Sequence, residues 1–186
     1  MYEKFGQFID GKWCQSSDKS TYEVINPANE EIIGHASKAT SQDVDRALKS
    51  AEKGLEVWKK TPPWQRSYII RRIADKIREK QDILAKWMTL EVGKPFAEAK
   101  GEVNGAADIF EWNAEETKRI YGQTVESRFE DTRVHVYYQP VGVVAALVPW
   151  NFPLVLSARK ISTALAAGCS VIVKPDVITP GVVMEQ

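Results

Sequence analysis

Apolar and polar positions change their period several times along this chain, and each change marks an element. The opening FGQFIDGKWCQS alternates around Asp10-Gly11, a hairpin signal of the type I′ class. YEVINPANEEIIGHAS reads as a strand, an Asn26-Pro27 turn and a second strand. Thr40 or Ser41 caps a helix on which Val44, Ala47, Leu48, Ala51, Leu55 and Trp58 share one face, with charges opposite. Pro62-Pro63 ends that helix and starts another, from about Trp64 to Val92. Its apolar positions Ile69, Ile73, Ile77, Leu84 and Trp87 fit a helical face least well near Glu79 to Asp82, which leaves room for a break there. Gly93-Lys94-Pro95 punctuates again, and a third helix runs to about Ile120. Ala99, Ala106, Ala107 and Ala114 give that helix a side that another helix can approach closely.

The pattern then returns to period two. Val134, Val136 and Tyr138 alternate with His135 and Tyr137, so residues 122–140 contain a strand with two usable faces. Pattern alone fits a projecting hairpin and an edge strand of a larger sheet equally. Val143 to Val148 is an apolar strand bounded by Pro149. Leu154 to Ala167 is a helix with Gly168 at its C-cap, and Ser170 to Lys174 is the next strand. Strand, crossover helix and strand form the β-α-β unit of a doubly wound parallel sheet, with a right-handed crossover expected. Ligands in such sheets lie beyond the carboxyl ends of the strands. Trp150-Asn151-Phe152 and Lys174-Pro175-Asp176 fall at those ends. Thr179 and Pro180 start one more helix, as N-cap and first-turn residues.

Composition adds mostly exclusions. The 25 basic and 25 acidic residues cancel, so bulk charge points neither to nucleic acid nor to an anionic membrane. No apolar run is long enough to span a bilayer, and no signal-peptide pattern is present. Two cysteines far apart make no disulfide framework, and reduced cytosol is the expected location. Cys169, between a helix cap and a strand, reads as a small core residue. His35 and His135 are isolated and have no metal-ligand spacing. Glu91, Glu98 and Glu102 read as solvated helix charges, with Lys94 and Glu98 at pairing distance. No phosphate-binding loop of the Walker or GxGxxG type occurs.

Asn151 is the leading candidate for chemistry. A side-chain amide is a neutral hydrogen-bond donor of the kind acyl transfer aims at an oxygen that becomes negative. It is equally a common turn residue before Phe152-Pro153. Lys174 places an ammonium at a strand end, where it can bond ribose hydroxyls or a phosphate, or simply be solvated. Arg159 can grip a carboxylate with two parallel hydrogen bonds, or form a structural ion pair.

The motif PWNFP after one strand, RK and AAG on the helix and KP after the next strand closely resemble the aldehyde dehydrogenase superfamily. MTLEVGKPFAEAKGEV and FEWNAEETKRIYG look most like its succinate-semialdehyde branch. The resemblance runs from about Phe8 to Glu185. It implies an α/β chain: an incomplete Rossmann-like cofactor domain with N-terminal helices and a projecting β-hairpin arm. Residues 1–121 would be the hairpins and helices of the cofactor-binding domain, 122–140 an arm for homo-oligomer contact, and 141–186 the first β-α-β part of the sheet. The implied activity is NAD(P)-dependent oxidation of a small aldehyde, such as succinate semialdehyde, to the acid through a thiohemiacetal and a thioester.

Within that resemblance, Asn151 is the oxyanion donor, Pro149, Trp150, Lys174 and Asp176 are cofactor-binding, and Arg159 faces a substrate carboxylate. Lys160 resembles a lysine near the active-site tunnel. Trp150 fits a core role under the loop nearly as well as a binding one. Many NAD-preferring members carry a carboxylate three residues after the lysine, where Val177 stands here. Its loss leans the cofactor toward NADP, with Asp176 adjacent as partial compensation. Family members are much longer, and neither Cys14 nor Cys169 matches their nucleophile. The nucleophilic thiol, the general-base glutamate and a second glycine-rich turn are therefore expected outside these residues, and the chain is expected to be inactive alone. The alternative is a non-catalytic binding or assembly module built on the same fold.

Overall fold

The computed structural model describes Tyr2 and residues 6–186. Two antiparallel hairpins open the chain. The first pairs β1 (Gln7–Ile9) with β2 (Lys12–Cys14). Asp10 and Gly11 both have left-handed backbones, with φ of 55° and 74°, as a type I′ turn requires. Phe5, the first apolar residue of that alternating run, lies outside the described residues. The second hairpin pairs β3 (Thr21–Ile25) with β4 (Ile32–Ser37). Asn26 Oδ1 accepts from the Ala28 N–H at 3.0 Å in the turn between them.

Helix α1 (Ser41–Trp58) starts at Thr40, whose side chain and that of Asp43 satisfy each other's backbone N–H groups in a capping box. Asp43 is buried and also accepts from the Ser17 N–H at 3.1 Å and from Arg46 at 2.6 Å. These donors, the Thr40 N–H foremost, hold its carboxyl well below the usual carboxylate range. Pro63 opens α2 (Pro63–Glu79), and the weak point of the apolar pattern is a real break: Lys80 separates α2 from α3 (Gln81–Val92). After Gly93 comes α4 (Phe96–Glu116), extended by a 3-10 turn at Thr117–Arg119.

The core is helical, and α4 is its centre. That helix packs against α2, α3 and the later helix α5 (Pro153–Ala166). Ala99, Ala106, Ala107 and Ala114 are fully buried along it, with Val103 and Phe110 between them. Small side chains bring the axes close, and the larger residues fill the remaining space with Ile70, Ile77, Leu84, Trp87 and Leu154. Helix α1 lies on the last sheet and meets this core through Trp58, whose Nε1 donates to the Leu165 carbonyl at 2.8 Å. Val44 and Leu48 on its apolar face remain exposed.

Residues 122–140 form their own hairpin, β5 (Gln123–Glu126) with β6 (Arg133–Val136), and join no larger sheet. β7 (Val143–Leu147) and β8 (Ser170–Lys174) are parallel neighbours in register from Val143↔Ser170 to Leu147↔Lys174, joined by α5. The short helix α6 (Pro180–Glu185) follows. No helix among the described residues is long and apolar enough to cross a membrane.

Two of the three glutamates read as solvated are buried, and each seats another helix. Glu91, on α3, accepts from the N–H groups of Gly181 and Val182 at 2.7 and 2.9 Å and from the Tyr2 hydroxyl. Those N–H groups open α6, and Thr179 gives them no side-chain cap. Gly181 is required by close approach: a Cβ there would stand 2.5 Å from the Trp87 ring. Glu102, on α4, does the corresponding service for α5. Glu98 alone of the three is exposed.

Candidate active site

The carboxyl ends of β7 and β8 are tied together, since Val148 N donates to the Lys174 carbonyl at 3.0 Å. The loop after β7 and the turn after β8 therefore leave the sheet side by side. On the first, Pro149, Trp150, Asn151 and Phe152 are all exposed, Trp150 at 49%. Within this chain the loop turns the Trp150 ring outward. The Asn151 amide makes no hydrogen bond to any described side chain or backbone group. Turn asparagines are normally spent on their own backbone, as Asn26 is here; Asn151 is left with both amide protons free.

On the second loop, Lys174 is exposed and has no carboxylate partner among the described residues. Asp176 is half-buried and turns back on its own loop, Oδ1 accepting from the Ile178 N–H at 3.0 Å. Val177 is exposed beside it. The free ammonium at a strand end, beside an outward indole, suits the hydroxyls or phosphates of a nucleotide.

Helix α5 supplies the third wall. Lys160 reaches back to the Leu147 carbonyl at the end of β7. Arg159 is exposed, and the structural ion pair that would have explained it does not form among the described residues. Neither cysteine suits attack on a carbonyl near Asn151. Cys169 is 3% exposed and precedes β8, at the opposite end of the sheet. Cys14 lies in the first hairpin with its thiol directed to the Gln7 carbonyl at 3.3 Å. No group of three or more potential metal ligands occurs among the described residues.

Residues 13–185 match the family model described as the aldehyde dehydrogenase family. The chain belongs to that family. It is 45% identical over 173 residues to glutarate-semialdehyde dehydrogenase from Pseudomonas aeruginosa, covering 93% of this chain and 36% of that protein. It is 43% identical over 172 residues to the succinate-semialdehyde dehydrogenase [NADP(+)] of Escherichia coli, covering 92% and 36%. Among solved structures it superposes on an E. coli NADP-dependent enzyme with a TM-score of 0.95 at 41% identity, covering 100% of this chain and 39% of that one. The chain thus spans a little over a third of the length of these relatives.

In this aldehyde dehydrogenase chain the buried pair beside the Asn151 loop that sequence reasoning missed is Lys94 with Glu102. Lys94 pairs with Glu102, not with Glu98. The signal was available. Glu102 sits on the same helical stripe as Ala99, Val103 and Ala106, so a charge there faces the core. Glu91 likewise follows Leu84, Trp87 and Met88 on the buried stripe of α3.

Proposed function

We propose that these residues form the carbonyl-polarising and adenosine-holding part of an NAD(P)-dependent aldehyde dehydrogenase acting on a semialdehyde with a distal carboxylate. The observation that carries this reading is the unspent Asn151 amide at the joined carboxyl ends of β7 and β8. As a thiolate attacks the aldehyde, negative charge gathers on its oxygen, and Asn151 Nδ2–H donates to that oxygen. Lys174 bonds the adenosine ribose while Trp150 and Pro149 line the groove beside it. Arg159, with no carboxylate partner among the described residues, takes the substrate's. The bound nicotinamide supplies the hydride acceptor. The names of the relatives, glutarate- and succinate-semialdehyde dehydrogenase, support the substrate class. Val177, in place of a ribose-binding acid, supports a lean toward NADP.

On this reading, with Cys169 buried just before β8 and Cys14 in the first hairpin, the 186-residue chain alone should produce no NADH or NADPH from succinate semialdehyde. The decisive test grafts the chain onto the remainder of the P. aeruginosa glutarate-semialdehyde dehydrogenase. In that chimera Asn151→Ala should lower kcat by about 10²–10³-fold, the usual cost of one lost oxyanion donor. An unchanged kcat overturns the reading.

The β5–β6 hairpin supports a second role, as an arm that binds another copy. Val125, Phe129, Val134, Tyr137 and Tyr138 are all exposed on it or just beyond it. Gel filtration across a concentration series should show association that Tyr137→Asp with Tyr138→Asp weakens.

A further inference from the structure

Helix α5 begins without a cap of its own. Phe152 occupies the N-cap and offers no acceptor, and Pro153 in the first turn has no N–H. The orphan N–H groups of Leu154 and Val155 are instead taken by Glu102 Oε1, at 3.0 and 3.3 Å, from α4. Glu102 Oε2 pairs with Lys94 from the turn between α3 and α4. The side chains of both are nearly enclosed, 11% exposed for Lys94 and 2% for Glu102. The lysine does not stop at the carboxylate. Its Nζ stands 3.5 Å from the Asn151 carbonyl and 4.1 Å from the centre of the Phe152 ring.

One buried ion pair therefore grips the chain where it leaves the loop, from the Asn151 carbonyl to the Val155 N–H. Glu102 holds the first turn of α5, and Lys94 holds the backbone of Asn151 and the ring after it. The partners are suited to the places they take. A carboxylate at a helix N-terminus is stabilised by the helix dipole, and an ammonium beside a carbonyl and an aromatic face keeps favourable contacts on three sides. Among the described residues no other side chain is hydrogen-bonded to the backbone of Asn151 or Phe152.

We propose that Lys94 and Glu102 are positioning residues for Asn151, fixing where its amide points through its own carbonyl and the backbone that follows it. The proposal rests on the role given to Asn151 above, and its test separates the two. In the 186-residue chain, Glu102→Gln should speed amide hydrogen exchange at Leu154 and Val155 by about tenfold or more, with Ala106 and Phe110 unchanged, because a charged acceptor is lost locally. Lys94→Met should sharpen and shift the Asn151 side-chain amide resonance toward a freely rotating asparagine, and Lys94→Arg should restore it in part. In the chimera, Lys94→Met should lower kcat by roughly tenfold to a hundredfold, as a small misplacement of a catalytic group does, with KM for the nucleotide unmoved. Unaltered exchange and an unaltered Asn151 resonance overturn the proposal. So does an unaltered kcat in Lys94→Met where Asn151→Ala has already lowered it. If Asn151→Ala leaves kcat alone while exchange and resonance respond, the anchor stands and the catalytic role of Asn151 falls.

Discussion

Glu91 should make this protein less stable as the pH rises through the slightly acidic range. Its carboxyl is fully buried on α3, and burial pushes it up from the ordinary 4.5 to about 7, against the pull of the Tyr2 hydroxyl and the Val182 and Gly181 N–H groups. Tyr2 is itself pushed far above its ordinary value, first by burial and then by Glu91, so it remains a donor throughout. Among the described residues no cation is paired with Glu91 to offset the loss of water. The folded pKa lies above the unfolded one, so the native state holds the proton more tightly between these values. Stability from this group is complete below about pH 4.5, falls as pH rises to about 7, and is flat beyond. At about 1.4 kcal/mol per pH unit, the fall is at most about 3 kcal/mol. For a chain of this size that is roughly 6–12 °C in Tm. Carboxylates held low by donors, Glu111 first by Arg78 and Glu115 first by Lys118, act in the opposite sense and lose their contribution only at lower pH. Urea unfolding followed by tryptophan fluorescence from pH 4.5 to 8, on the wild type and Glu91→Gln, isolates the term. The glutamine variant has one acceptor fewer and starts lower, but it should regain about 3 kcal/mol on the wild type across the window. Parallel curves for the two proteins would refute the assignment.

Gly181→Ala places a methyl carbon 2.5 Å from Trp87 and 2.7 Å from Glu91 Oε1. It should cost about 1–3 kcal/mol in chemical unfolding, the usual range for overpacking a tight site. In the chimera, Val177→Glu should shift the kcat/KM ratio toward NAD by repelling a 2′-phosphate; steady-state rates with both nucleotides decide, and an unchanged ratio would pass the choice to Asp176. Arg159→Leu should weaken a semialdehyde with a distal carboxylate by about 2–5 kcal/mol in kcat/KM relative to an uncharged aldehyde of equal length. Equal losses for both would assign Arg159 to structure.

The legible features were those with local causes. Asp10-Gly11 announced its turn because two successive left-handed residues demand such side chains. Thr40 and the alanine stripe of α4 were readable from spacing, as were the parallel strands around Gly168. Even the break at Lys80 showed as a lapse in period. What stayed hidden was the partner of each buried charge. Glu91 and Glu102 have the composition of a wet surface and the position of a core. Position decides, but only the tertiary packing shows that helix N-termini wait opposite them. The exposure of Trp150 was equally beyond the pattern, because a loop aromatic points inward or outward according to its neighbours across the fold.

The distant cap on α5 also has a consequence for how the chain is made. Glu102 precedes the N–H groups it binds by 52 and 53 residues, and Glu91 precedes its own by 90 and 91. In both cases the acceptor lies earlier in the chain than the donors. Synthesis runs from the amino end, and earlier segments can pack before later ones emerge. The α2–α4 unit is then able to form while the loop after β7 is still unmade, with two carboxylates already standing at its surface. The loop and its helices dock onto a template that precedes them.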